Sequence, residues 1–308
     1  MAQHGKRIVA LGEVLWDIFS DQKRPGGAPL NFAFHASQFG HEAWVVSRVG
    51  QDESGRRLLA AVRDLGLPVD HLQIDPVKPT GTVQVSVNLF GEPRFQIIED
   101  VAWDALEATP EAHALVRSAD VIWFDILAQR TKAAREAIRA LLAGARGEPR
   151  DILIVCEFNL RQRFWTPEII RESIEYCRVL RLNDDELKTI KGLFGLADLS
   201  DREFAVELMR SFALLLICVT HGPRGCTLHT PDAEVHSLGY LVDVKDTVGS
   251  GRAFTAAMVT KLLEGARFID AANYANLAGA YVASRPGATP RFNRSTLEQF
   301  EKSLKGRY

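Results

Sequence analysis

The chain predicts an α/β fold: a mostly parallel central sheet between two helical layers, with a small β lid. Three observations carry this. Short apolar, β-branched runs alternate with amphipathic runs of helical period, the pattern of a parallel sheet covered on both faces. Two strand-like pieces, 13–19 and 81–98, break that alternation and predict a smaller projecting sheet. No repeat, low-complexity tract or linker divides the 308 residues, so 1–308 is expected to be one domain with an ample core.

Taken in order, the strand runs are 8–11, 43–49, 121–124, 152–156, 179–182 and 215–220, each short, apolar and rich in Ile, Val or Leu. Helical runs fall at 30–39, 54–65, 131–143, 168–177, 184–191, 202–210, 253–264, 271–284 and 296–302. In 81–98, Thr82, Val83, Val85 and Val87 precede a turn at Gly91-Glu92 and a second strand from Arg94, which reads as a hairpin. The lid is expected from about 13–25 and 81–98.

Composition excludes several function classes. A net charge of −2 gives no electrostatic footprint for nucleic acid or an anionic membrane. No apolar run approaches the roughly 20 residues that span a bilayer. The segment Met1 to Arg7 is too short and polar for a signal peptide. Cys156, Cys177, Cys218 and Cys226 lack metal-ligand spacing, and Cys156 and Cys218 fall in apolar runs as buried free thiols. A cytoplasmic protein is expected.

The most informative stretch is Asp246-Thr247-Val248-Gly249-Ser250-Gly251-Arg252-Ala253-Phe254. Its glycines let backbone approach a ligand, and the helix start that follows offers unpaired N–H groups and a positive dipole end to an anion. Upstream, Asp17 and the turn Gly26-Gly27-Ala28-Pro29-Leu30-Asn31 could surround a polyol, though on pattern alone they are a turn and a helix start. Glu157-Phe158-Asn159-Leu160-Arg161 follows a strand, where open α/β sheets hold ligands. Asn183-Asp184-Asp185-Glu186 reads as a helix cap or a Mg²⁺ element. Thr220-His221-Gly222-Pro223-Arg224-Gly225 is by itself a turn, and the small residues around Asn276 are by themselves close packing.

Together, and in this order, these motifs resemble the PfkB (ribokinase-like) carbohydrate kinases, closest to bacterial fructokinase-type enzymes, over nearly the whole chain. The resemblance implies a ribokinase-like three-layer α/β/α sandwich and MgATP-dependent phosphorylation of a primary hydroxyl on a sugar or sugar acid. Asp17, Gly27, Asn31 and Arg161 would hold the sugar, with Asp125 at a strand end that faces it. Asn183, Glu186, Thr220, Gly222, Gly225 and Asn276 would serve ATP or ADP. Glu186 and Glu157 would organise Mg²⁺ through water, and carbonyls of the loop 285–288 would help hold a monovalent cation (K⁺). Gly249, Ser250 and Gly251 would form the anion hole. A homodimer through the lid is a further expectation.

Where the family places the aspartate that takes the sugar proton, this chain has Arg252. Glu157 stands where relatives have Asp, and Asp125-Ile126 where they have Gly and a small polar residue. Arg252 and Asp125 are expected to form a charge pair. Three readings stay open: a working or slow sugar kinase, a non-catalytic sugar- or nucleotide-binding relative, and a kinase scaffold whose base was deliberately replaced.

Overall fold

The computed structural model describes residues 5–20, 22–87 and 93–304. β1 (Arg7–Leu11) leads into two short strands, β2 (Leu15–Ile18) and β3 (Lys23–Gly26), before α1 (Ala28–Gln38). Next come β4 (Glu42–Gly50), α2 (Glu53–Asp64), β5 (Leu72–Asp75), β6 (Thr82–Val87) and β7 (Pro93–Ile97). Then α3 (Pro110–Ser118), β8 (Val121–Asp125), α4 (Lys132–Arg146), β9 (Leu153–Glu157), α5 (Pro167–Tyr176) and β10 (Val179–Asn183) follow. They are succeeded by α6 (Asp184–Leu193), α7 (Asp201–Phe212), β11 (Leu216–Thr220), β12 (Gly225–His229) and β13 (Glu234–Leu238). The last helices are α8 (Ser250–Leu263), α9 (Phe268–Ala283) and α10 (Arg294–Ser303).

Nine strands form the main sheet in the order β13-β12-β11-β10-β9-β8-β1-β4-β5, parallel from β11 to β5 and antiparallel at the β12–β13 end. Alternate strand residues face opposite layers, as the period of a strand requires. Ile8, Ala10, Val121 and Trp123 pack under α1, α2, α8 and α9. Val9, Leu11, Ile122 and Phe124 pack against α3 to α7. Phe32 stacks on Trp123 with centroids 5.1 Å apart, and both are fully buried. Each such side chain contributes about 1.5–3 kcal/mol by burial. This is the ribokinase-like α/β/α architecture expected.

The second sheet, in the order β3-β2-β6-β7, projects as the lid. It covers a small cluster of Leu15, Val83, Ile97, Trp103, Leu127 and Phe164. At its base a buried pair, Arg130 Nε to Asp104 Oδ1 at 2.7 Å, lies against the Trp103 ring. The expected hairpin turn at Gly91-Glu92 lies outside the described residues.

Five elements were not expected from sequence. β3 is too polar to read as a strand, and it exists because Asp17 pairs in register with Arg24. β5 and α3 are short and half-apolar. β12 and β13 follow a Gly-x-x-Gly run that reads as a turn, and they cap the sheet antiparallel to β11. All four cysteines are buried and free.

Candidate active site

Parallel register brings the carboxyl ends of the central strands to one edge. Leu11 pairs with Phe124, Asp125 with Glu157, Glu157 with Arg181, and Asn183 with Thr220. Glu13 follows β1 on the same edge. Residues scattered over 200 positions thus share one crevice, as ligand sites of such sheets do.

Above that edge stands the start of α8. Gly249 precedes it with φ 82°, and a Cβ there would lie 2.2 Å from the Ala288 carbonyl oxygen, so only glycine fits. A Cβ on Gly251 would lie 3.2 Å from Arg181 Nη2, which places that guanidinium against the helix start. Two cavities, about 410 and about 380 Å³, meet here and share Arg181, Thr247, Ser250 and Gly251. A cationic, N–H-lined neck between two cavities can hold the charge of a group passing from one to the other.

The first cavity lies under the lid. Asp17, Gly27, Asn31 and Arg161, all expected at the sugar, line it together with Asn183, Gly249 and Arg252. Asp17 sits on lid strand β2; burial, then the nearby Asp246 charge, push its carboxyl up to about 6, against the pull of Arg24. Asn31 is 5% exposed, and its Oδ1 is buried with no hydrogen-bond partner. Gly27 has φ 108°, and a Cβ there would strike the Glu13 carbonyl. Arg161 Nε donates to Asn159 Oδ1 at 2.9 Å.

The second cavity is lined by Thr220, Gly222, Gly225 and Asn276, four residues expected on the nucleotide side. Asn276 Nδ2 donates to the Ser237 carbonyl at 3.1 Å, tying α9 to β13. Asn183, expected with this group, lines the first cavity instead, since its side chain caps α6 by accepting from Glu186 N at 2.9 Å. Glu186 lines neither: its Oε1 accepts from Leu160 N and its Oε2 from Asn183 N.

Arg252 is one residue whose surroundings differ from expectation. Its Nη1 donates to Glu157 Oε1, not to Asp125. Asp125 is fully buried below the cavity floor, and it accepts from Asn159 Nδ2 at 2.7 Å and Ala128 N at 3.1 Å. It reaches Arg252 only through its field, which favours the guanidinium's charge. β-sheet register explains the switch: Glu157 stands beside Asp125, and its longer arm reaches α8 first. Glu157 is fully buried and also accepts from Arg181 Nη1 at 2.5 Å and Thr255 Oγ1 at 3.0 Å. Burial lowers the Arg252 pKa, yet a guanidinium stays charged beside such carboxylates.

Two residues at this site were missed from sequence. Glu13 lines the first cavity and is 1% exposed. Arg181 lines both cavities. The available signal for Arg181 was a lone charge inside the apolar run 179–182. Glu13 lay within the Gly12 to Asp17 run, but only Asp17 was singled out there.

A lidded α/β/α fold, with a glycine-flanked helix start between two cavities, has the construction of a phosphotransferase acting on a small polyol. The pfkB family carbohydrate kinase pattern matches residues 6–294, and the chain belongs to that family. Fructokinase of Solanum tuberosum is 28% identical over 303 residues, covering 92% of this chain and 91% of that protein. An uncharacterized sugar kinase of Pyrococcus horikoshii superposes with a TM-score of 0.81 at 25% identity, covering 96% of each chain. Fructokinase of Xylella fastidiosa with bound ATP superposes with a TM-score of 0.86, covering 96% of this chain and 98% of that one; at 17% identity this likeness speaks for the fold alone. Among the described residues no helix is long and apolar enough to cross a membrane.

Proposed function

We propose that this chain is an ATP-dependent, fructokinase-like sugar kinase whose phosphoryl transfer is slow because Arg252 fills the position of the base. The observation that carries this is the ion pair of Arg252 with buried Glu157 at the start of α8. A guanidinium has no lone pair to accept a proton, and this one is held in place. General-base catalysis is worth about 10²–10⁴-fold. The rest of the machinery supports the kinase reading: Asp17, Asn31 and Arg161 in the first cavity, Thr220, Gly225 and Asn276 in the second, and Gly249 to Gly251 between them.

Phosphoryl transfer mostly requires positioning and charge stabilisation, and Mg²⁺ on the ATP phosphates supplies part of that charge. Glu186 fits such an ion only through water, because each of its oxygens already accepts a backbone N–H. Glu157 does not fit: it is fully buried and takes three donors. In the loop after α9 the Ala288 carbonyl already accepts from His35, and the Arg24 guanidinium lies beside Asp246 and Gly287. That guanidinium already supplies positive charge at this loop, so a monovalent cation does not fit there. A homodimer through the exposed side of the lid sheet belongs to the same reading, and size exclusion with light scattering reads it directly.

The test is a coupled ADP-release assay on fructose, ribose and 2-keto-3-deoxygluconate, with titrated protein. Sugar-dependent release well below the about 1–100 s⁻¹ usual for kinases is expected. Release at that ordinary rate overturns the assignment of Arg252. Sugar and MgADP binding with no release favours a non-catalytic binding protein instead. Failure to bind MgADP at millimolar concentration removes the kinase reading altogether.

A further inference from the structure

Arg252 does more than lack a lone pair: it turns a cation toward the first cavity. Its side chain is 12% exposed and lines that cavity beside Gly249, Ser250 and Gly251. Nη1 is taken by Glu157, and Nε is sealed inside the protein without a partner. Nη2 has no partner either, but it is not sealed, so its N–H bonds open onto the cavity. Arg181 lines both cavities and donates to the same Glu157 oxygen, so one carboxylate serves two guanidiniums. Asp125 and Glu13 act on Arg252 only through their fields, since Asp125 is met by Asn159 and Ala128 and Glu13 by Ala28. Among the described residues, no acceptor meets the N–H of Gly249 or of Gly251. Guanidinium and backbone N–H donors bordering one space suit an oxyanion with several acceptor oxygens.

The rest of the cavity suits the body of a sugar. Asp17 on β2 can accept from hydroxyls, and Leu15, Val83, Ile97 and Leu127 form an apolar wall. Arg161 stands exposed after β9, with only its Nε engaged within the protein. The volume, about 410 Å³, falls in the range of small-molecule sites.

We propose that the first cavity binds a sugar phosphate in preference to the free sugar, with the phosphate on Arg252 Nη2 and the N–H groups at the start of α8. The proposal rests on the kinase reading above, which puts the sugar under the lid. A phosphomonoester is mostly a dianion at neutral pH, because its second pKa is about 6. A carboxylate at position 252 repels that dianion and favours its departure. A guanidinium attracts it and adds donors that a neutral sugar cannot use as well. Arg252 therefore reverses which of the two ligands the cavity holds longer, and the chain rests in its sugar-phosphate-bound form.

The experiment is calorimetry without nucleotide near neutral pH. The ligands are fructose 6-phosphate, fructose 1-phosphate, ribose 5-phosphate, the parent sugars and inorganic phosphate. At least one sugar phosphate should bind at least about tenfold more tightly than its parent sugar and than inorganic phosphate. Added salt should weaken that binding and leave the free sugar unaffected. Arg252→Gln should erase the preference with sugar affinity changed by less than about threefold, and Arg252→Asp should reverse it. Arg161→Gln should weaken sugar and sugar phosphate alike and leave their ratio. Thermal unfolding and MgADP binding establish that each variant is folded. Equal or absent binding of sugar and sugar phosphate by the unaltered chain overturns the proposal. So does a preference that survives in folded Arg252→Gln, or one that Arg161→Gln removes instead. Inorganic phosphate binding as tightly as the esters overturns it too, because the sugar then contributes nothing. MgADP binding and ADP release test the kinase reading separately: a sugar-phosphate preference without either keeps the site and removes the kinase.

Discussion

Arg252 Nη1 and Arg181 Nη1 donate to the same oxygen, Oε1 of Glu157, a side chain with no exposure. One buried carboxylate thus holds two guanidiniums beneath the neck between the cavities. The Trp123 ring lies 5.7 Å from the Arg252 guanidinium carbon, within cation–π range.

This pairing determines what replacing Arg252 by an acid will cost. Arg252→Asp places a carboxylate beside Glu157 and Asp125 and removes one of the two cations that neutralise them. Breaking a buried pair typically costs about 3–5 kcal/mol; because Arg181 stays on Glu157, a loss nearer the lower end is expected. Turnover should rise at least about tenfold, since a proton acceptor is regained, with MgADP affinity nearly unchanged. Adding Glu157→Gln exchanges the like-charge repulsion for a buried Arg181 without its carboxylate, so it should not recover the melting temperature. Thermal unfolding and ADP release check both halves, and an unchanged kcat in the folded single variant contradicts the account.

The second cavity, which the proposed function gives to the nucleotide, offers a contrast between two glycines of one turn. Gly225 has φ 102°, and a Cβ would lie 2.0 Å from the Ser237 carbonyl oxygen; Gly222 has φ 59° and open space around it. Gly222→Ala should cost only about 1–2 kcal/mol of left-handed strain. Gly225→Ala must also push β12 from β13, so a larger loss of stability and at least about tenfold weaker MgADP binding are expected. Calorimetry on both variants decides it. Equal effects would mean that packing against β13 does not shape the pocket.

His35 gives a pH prediction with a definite sign. Its Nε2 donates to the Ala288 carbonyl at 2.9 Å, and burial holds its pKa down to about 4 from 6.5. Between those values the unfolded chain binds a proton that the folded chain does not, so stability falls as pH drops from 6.5 toward 4. The Ala288 oxygen also faces Gly249, so the turn before α8 loses a support. His35→Gln retains a donor and cannot titrate, so its melting temperature should fall less between pH 7 and 5 than the parent's. Parallel curves would exclude His35 as the source.

The main sheet and most helices were legible because strands buried on both faces read as continuous apolar runs, as at 8–11, 121–124 and 216–220, while helices buried on one face carry a helical period. The lid strand β3 was not, because Lys23, Arg24 and Pro25 owe their extended shape to pairing with β2. Most cavity residues were legible through the motif order. The partner of Arg252 was not: Glu157 and Asp125 end neighbouring strands, and which one a long guanidinium reaches depends on register and arm length. Glu13 escaped notice because an orphan oxygen exists only once its surroundings are built.

On the proposed sugar-kinase reading, Asp17 would link the lid to sugar binding through its ionisation. Its carboxyl titrates near 6, above the ordinary 3.8, chiefly because of burial and then because of Asp246, with Arg24 opposing. Above pH 6 it is a carboxylate able to accept hydroxyl hydrogen bonds, and below it a proton competes. Sugar KM should therefore rise about tenfold per pH unit below 6, while MgADP affinity, governed by the other cavity, stays level. Asp17→Asn should raise KM at pH 8 and abolish that acid limb. Linkage gives an independent check. A pKa raised on folding contributes stability below 3.8 that is lost as pH rises through 6. Asp17→Asn should thus melt higher than the parent at pH 8, and the advantage should vanish near pH 4. A sugar KM that is flat from pH 5 to 8 in the unaltered chain, or an Asp17→Asn variant that keeps the acid limb, rules out Asp17 as the group whose charge holds the sugar.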